Sequence, residues 1–157
     1  MYRLENKLSA YRSDIVVVGC GGTGGFVAEG LLRLLVGQPN IPLVLIDHDR
    51  VEERKLVRQN FYPEDLGRFK AQALAERLAR RFGRPVAYAL DPLTPGDWRH
   101  RGPMDQAALV IGCVDNPLAR EAIAAHMRRD RWWIDAGNGR DFGQVLVGNA
   151  RVADLHD

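Results

Sequence analysis

The chain has 157 residues, 22 Lys and Arg against 20 Asp and Glu, a formal net charge of +2 and 46% hydrophobic residues, the makeup of one globular domain without a polyanion-binding tail. Its cysteines, Cys20 and Cys113, are too few for a disulfide framework and form no C-x-x-C pair for zinc, so a reducing, cytoplasmic setting is expected. Met1 to Asp14 is polar and charged rather than a signal peptide, and no apolar run approaches the roughly 18 residues that cross a bilayer, so no membrane partner is expected.

Ile15 to Val18 reads as a buried strand that turns through Gly19-Cys20-Gly21-Gly22-Thr23-Gly24 into a helix. Gly19, Gly21 and Gly24 have the G-x-G-x-x-G spacing. The first glycine allows a tight turn, the second a close approach of backbone to phosphate, and the third close packing of helix on strand. A phosphate is then held by free N–H groups at the positive end of a helix dipole. The residues Phe26 to Val36 are apolar on several faces and predict a well-buried helix, ended by Gly37, Pro39 and Pro42.

Leu43 to Ile46 is the second buried strand and ends at Asp47. A polar segment runs through Gly67, and an amphipathic helix is predicted from about Arg68 to Phe82, stopped by Gly83 and Pro85. Val86 to Leu90 follows as a short strand, and Asp91 to Asp105 as a loop or ragged turn. Leu109 to Val114 is a third strong strand, Leu118 to Arg128 a helix, Trp132 to Ala136 a strand, and Gln144 to Val147 an added strand. The arginines at Arg77, Arg80 and Arg81, and at Arg128, Arg129 and Arg131, lie late in predicted helices and read as solvated faces that complement the dipole. Aromatic residues do not interleave with them as single-strand binding requires, so no nucleic-acid partner is expected. Strands and helices in alternation predict a Rossmann-like α/β fold: a mostly parallel sheet with helices on both faces, as one domain over 1–157.

In such sheets ligands bind beyond the carboxyl ends of the strands, and the unusual polar residues gather at those ends. Asp47, 23 residues after Gly24, has the position of a ribose-binding acid, which suits NAD and ATP alike. Arg58 and Lys70 have no task in hydride transfer. A triphosphate needs such cations besides the glycine loop, because its β- and γ-charges must be neutralised. His48, between two aspartates, reads as structural or surface, and both cysteines as small packing residues.

The blocks Gly19-Cys20-Gly21-Gly22-Thr23-Gly24, Ile46-Asp47-His48-Asp49-Arg50-Val51-Glu52, Val57-Arg58-Gln59, Leu66-Gly67-Arg68-Phe69-Lys70-Ala71, Cys113-Val114-Asp115-Asn116 and Gly143-Gln144-Val145 occur in one order. With them the chain resembles the ubiquitin-activating-enzyme-like adenylating proteins of the ThiF and MoeB group, over about residues 15–148. The resemblance implies adenylation, with ATP and Mg²⁺, of the C-terminal carboxylate of a ubiquitin-like or sulfur-carrier protein. It implies that Asp47 and Asp49 lie on the nucleoside side and that Gly19, Gly21, Gly22, Thr23 and Gly24 cradle the phosphates. Arg58 and Lys70 would neutralise the β- and γ-phosphates, Gln59 would add a polar contact, and Asp115 would bind Mg²⁺. A homodimer is implied too, as is a length short of the family's C-terminal part. Lys55 stands where members commonly carry asparagine. The alternatives are an ATP-binding module of the same fold without turnover and an NAD-dependent oxidoreductase.

Overall fold

A computed structural model of the chain describes residues 14–90, 102–127, 131–139 and 141–149. Six strands form one sheet: β1 (Asp14–Val18), β2 (Leu43–Ile46), β3 (Ala87–Ala89), β4 (Ala107–Gly112), β5 (Trp132–Asn138) and β6 (Gly143–Asn149), in the order β3-β2-β1-β4-β5-β6. All neighbours are parallel except β5 and β6, which form an antiparallel pair at one edge. The fold is Rossmann-like, as the alternation of elements predicts.

The apolar runs are continuous because both sheet faces are covered. Ile15, Val17, Leu43 and Leu45 point to one face and pack under α1 (Gly22–Leu34) and α2 (Lys70–Phe82), where Leu32, Leu74 and Leu78 are buried. Val16, Val18, Val44 and Ile46 point to the other face, against Met104 of the turn before β4 and against Ile123 of α3 (Pro117–His126). Each such aliphatic side chain contributes about 1.5–3 kcal/mol on burial, so the sheet centre dominates the stability.

Several boundaries differ from the sequence expectation. α1 begins at Gly22 rather than Phe26, because the motif glycines themselves form its first turn. β4 runs from Ala107 to Gly112, two residues earlier than predicted at each end, and Cys113 leaves it into the crevice, where its N–H still donates to the Val18 carbonyl at 2.7 Å. α3 starts at Pro117, since the Asn116 side chain accepts from the Ala119 N–H at 2.8 Å as its cap. It ends at His126, short of the predicted Arg128, which lies outside the described residues with Arg129. Arg131 corrects the solvated-face expectation: it is 1% exposed, donating to the carbonyls of His126 at 2.8 Å and Asp105 at 2.6 Å. Most of the predicted loop from Asp91 also lies outside the described residues, and Pro103–Gln106 at its end is a 3₁₀ turn.

The strand order reverses between β1 and β4. Beyond the carboxyl ends of these two strands the chain departs in opposite directions, and a crevice opens there. No helix among the described residues is long and apolar enough to cross a membrane.

Candidate functional site

That crevice is a cavity of about 800 Å³, lined by the turn after β1, the segments after β2 and β4, and the loop between β5 and β6. Its floor is the glycine turn. Gly19 has φ +89°, a left-handed conformation that favours glycine, and a Cβ on it would lie 2.7 Å from the Cys113 carbonyl oxygen. A Cβ on Gly24 would overlap the Gly19 carbonyl oxygen, so helix and strand touch backbone to backbone. Gly24 itself does not line the cavity; Gly19, Gly21, Gly22 and Thr23 do. Gly21 is the N-cap of α1, with no side-chain cap and no acid in the first turn. The N-terminal amides of α1 therefore face the cavity with the dipole's positive end.

Asp47 fastens this floor to the end of β2. Its Oδ2 accepts from the Cys20 N–H at 2.7 Å, and its Oδ1 from the Asp49 N–H at 2.8 Å. Burial pushes its carboxyl above the ordinary range despite these two donors. Each oxygen keeps a further lone pair for a hydroxyl donor. Asp49 has the opposite shift: Lys70 Nζ donates to its Oδ2 at 2.8 Å and holds the carboxyl below its usual value. The same two residues meet through the backbone, with Lys70 N–H donating to the Asp49 carbonyl at 2.8 Å.

Lys70 is 5% exposed at the first position of α2, where a solvated lysine would be ordinary. Arg58 is exposed and Gln59 half-buried, both following a 3₁₀ turn over Glu53–Lys55. Gln59 Oε1 is buried with no hydrogen-bond partner among the described residues, and its amide lies beside Gly21. Asp115 is exposed on the lining just beyond β4. Arg58 and Asp115 carry no ion pair among the described residues, so both are available to a ligand.

The fold thus brings together, around one cavity, every polar side chain singled out in the sequence: Thr23, Asp47, Asp49, Arg58, Gln59, Lys70 and Asp115. Lys55 and His48, both noted in the sequence without an assigned role, line it as well, and the fold adds Asn116 and Asn138. His48 is exposed, 3.8 Å from Asp49, and with Asp47 and Asp49 it forms a cluster of possible metal ligands. Asn138 is a lining residue that the sequence reasoning missed. Its Oδ1 accepts from Thr23 Oγ1 at 3.3 Å, and its position at the end of β5 was the one available signal. Both thiols are poor nucleophiles, since burial pushes Cys20 well up and Cys113 to about 11.

A model described as the ThiF family matches residues 3–152. Ubiquitin-like modifier-activating enzyme 5 of Xenopus laevis is 32% identical over 150 residues, covering 85% of this chain and 36% of that protein. The protein of the same name from Dictyostelium discoideum is 32% identical over 139 residues, covering 79% of this chain and 35% of that one. The chain spans about a third of the length of these relatives. Among solved structures, E. coli tRNA N6-threonylcarbamoyladenosine dehydratase TcdA, in complex with ATP, is 28% identical with a TM-score of 0.68, covering 83% of this chain and 53% of that chain. E. coli MccB, solved with AMPCPP and MccA, has a TM-score of 0.73 at 24% identity, over 87% of this chain and 40% of that chain, a likeness of fold.

Proposed function

The chain belongs to the ThiF family, and from that footing we propose that its crevice binds ATP and transfers AMP to the C-terminal carboxylate of a small ubiquitin-like or sulfur-carrier protein. One observation carries the reading: an uncapped helix N-terminus and the cations Arg58 and Lys70 face the same cavity as Asp47 and Asp115, at the strand-order reversal. The 28%-identical neighbour solved with ATP, and the same protein solved with AMP, support a nucleotide there.

Asp47 takes the ribose hydroxyls on its free lone pairs, beside Asp49. The turn from Gly19 to Gly24 and the amides of α1 receive the phosphates, Gln59 adds a polar contact to them, and Arg58 and Lys70 neutralise the β- and γ-groups. Asp115, a hard oxygen donor without an ion pair among the described residues, fits Mg²⁺, which binds through one or two carboxylates together with phosphate oxygens. When bound, Mg²⁺ supplies further charge neutralisation on the phosphates.

In the reaction a carboxylate oxygen of the carrier attacks the α-phosphorus, the bond to the bridging oxygen breaks, and pyrophosphate leaves with the electron pair. The attacking carboxylate has no proton to lose, so no general base is needed. Positioning and charge neutralisation supply the catalysis. In hydride transfer Arg58, Lys70 and Asp115 have no task. The described residues belong to a single adenylation domain, and the half-exposed Trp132 with exposed Val145 and Val147 suits pairing with a second copy.

The test is ATP–pyrophosphate exchange with a candidate carrier protein. Exchange by the wild type that falls at least about a hundredfold in Asp115→Ala and Lys70→Ala is the expected result. Mg·ATP binding without any exchange would instead establish a nucleotide-binding module, the reading that the internal Lys70–Asp49 pair favours.

A further inference from the structure

The residues that face the phosphates are mounted unequally. Lys70 stands on a helix and the glycine turn on the central strand. Arg58 and Gln59 ride on a segment whose regular structure is two short 3₁₀ turns, Glu53–Lys55 and Pro63–Asp65. Within that segment the contacts are local: the N–H groups of Arg58 and Gln59 donate to the Lys55 carbonyl at 3.2 and 2.9 Å, and Phe61 N–H donates to the Gln59 carbonyl at 2.8 Å. Such short turns do not fix a position by themselves.

Phe61 and Leu56 pack into the core beneath the segment, and its polar hold comes from α2. Arg77, two turns after Lys70 and outside the cavity lining, donates through Nη2 to the Asn60 carbonyl and through Nη1 to Asp65 Oδ2 at 2.8 Å. Its guanidinium also stands over Tyr62 and Phe61, 5.0 and 5.6 Å from their ring centroids. Asp65 is buried and accepts in addition from Tyr62 N–H at 3.2 Å, with Arg68 at 3.6 Å. A planar fork that holds a carbonyl and a carboxylate at once fixes orientation, which a lysine ammonium does not do. On its other side the segment rests against α1, where a Cβ on Gly22 would come within 3.2 Å of the Arg58 carbonyl oxygen.

We propose that Arg77, braced by Asp65, is a positioning residue that clamps the Arg58–Gln59 segment against the glycine turn and so sets the site's grip on the terminal phosphates. The phosphate part rests on the reading of the crevice as an ATP site. α2 then serves the nucleotide twice, directly through Lys70 and at one remove through Arg77.

Arg77→Lys is the primary variant, since it keeps charge and length, with Arg77→Met and Asp65→Asn beside it. By hydrogen exchange, the amides of Arg58, Gln59 and Phe61 should open about tenfold faster in Arg77→Lys while those of β1 and β4 stay unchanged. By calorimetry, Mg·ATP should bind about tenfold more weakly and AMP within about twofold of the wild type. In a double-mutant cycle with Arg58→Ala, the double variant should bind ATP no worse than Arg58→Ala alone. Unchanged exchange at these amides overturns the clamp, as do equal losses for ATP and AMP or losses that simply add. Wild-type protein that binds no ATP defeats the nucleotide reading instead, and the exchange measurement still decides the clamp. If Arg77→Met does not fold, the same readouts on Arg77→Lys and Asp65→Asn decide.

Discussion

A lysine at the first position of a helix meets the positive end of the dipole, and Lys70 is nearly buried there as well. Among the described residues its ion pair is with Asp49, whose side chain remains more than half exposed. Removing the cation leaves a carboxylate that water can solvate, and removes the cost of burying an ammonium. Lys70→Met is therefore expected to hold its thermal midpoint within a few degrees of the wild type at pH 7 while losing most of its ATP affinity, checked by melting and calorimetry. The pH dependence follows from Asp49. Its folded-state pKa is lowered, mainly by the Lys70 hydrogen bond, so this contribution to stability is present above the unfolded value of about 4 and is lost as pH falls through the folded value. In Lys70→Met that part of the acid limb disappears, which melts between pH 6 and 2 would detect (a window of about this width brackets both values). The residue types Asp47, Arg58, Lys70 and Asp115 were legible from their places at strand ends and after the ribose-type acid. The burial of Lys70 and the contact of Asn138 with Thr23 were not, because each depends on a partner that only the tertiary fold brings near.

At the scale of elements, α1 separates two uses of glycine. Gly24 is held against the Gly19 carbonyl, whereas Gly30, in the same helix, has open space where a Cβ would go. Gly24→Ala forces strand and helix apart and should cost about 3 kcal/mol. Gly30→Ala should gain about 0.5–1 kcal/mol, because alanine loses less conformational freedom in a helix. Denaturant midpoints of the two variants, moving in opposite directions, check the pair; equal shifts would refute the packing role. The strands themselves were legible because buried parallel strands read as β-branched runs, and Leu43–Ile46 matches its predicted bounds. Boundaries slipped where one residue type serves two elements, as the glycines that turn the chain also begin α1. Arg131 was misread for a related reason: an arginine run looks solvated, but here backbone carbonyls on both sides draw one member inside.

At the scale of the molecule, the sheet places its well-covered centre at the crevice and its least covered strands at one edge. Opposite Ile134 and Ala136 of β5 lie Val147 and Val145 of β6, so these four side chains share a face with Trp132. Ile134 packs against the core, whereas Trp132, Val145 and Val147 stay exposed. An apolar edge of this kind is a surface for association. Val145→Thr with Val147→Thr should leave the melting temperature within a few degrees and shift any dimer seen by light scattering toward monomer; an unchanged dimer mass would place the contact elsewhere. The Rossmann-like fold was legible from the alternation of elements, while the exposure of this edge was not, since the sequence of β6 reads like any other apolar strand.

The central position of β1 also has a consequence for how the protein is made. β1 leaves the ribosome before either of its neighbours, walled as it is on one side by β2 and on the other by β4, whose partner residues for Asp14 to Val18 run from Ala107 to Gly112. Parallel pairings of such long sequence separation form slowly, because the intervening chain must be closed before they repay the entropy. During that delay the run Ile-Val-Val-Val is an unpaired, uncharged β-former, the kind of segment that seeds aggregation. The glycine turn thus follows directly on the stretch most in need of protection during synthesis, and shielding of β1 until β4 is made becomes a demand of the architecture.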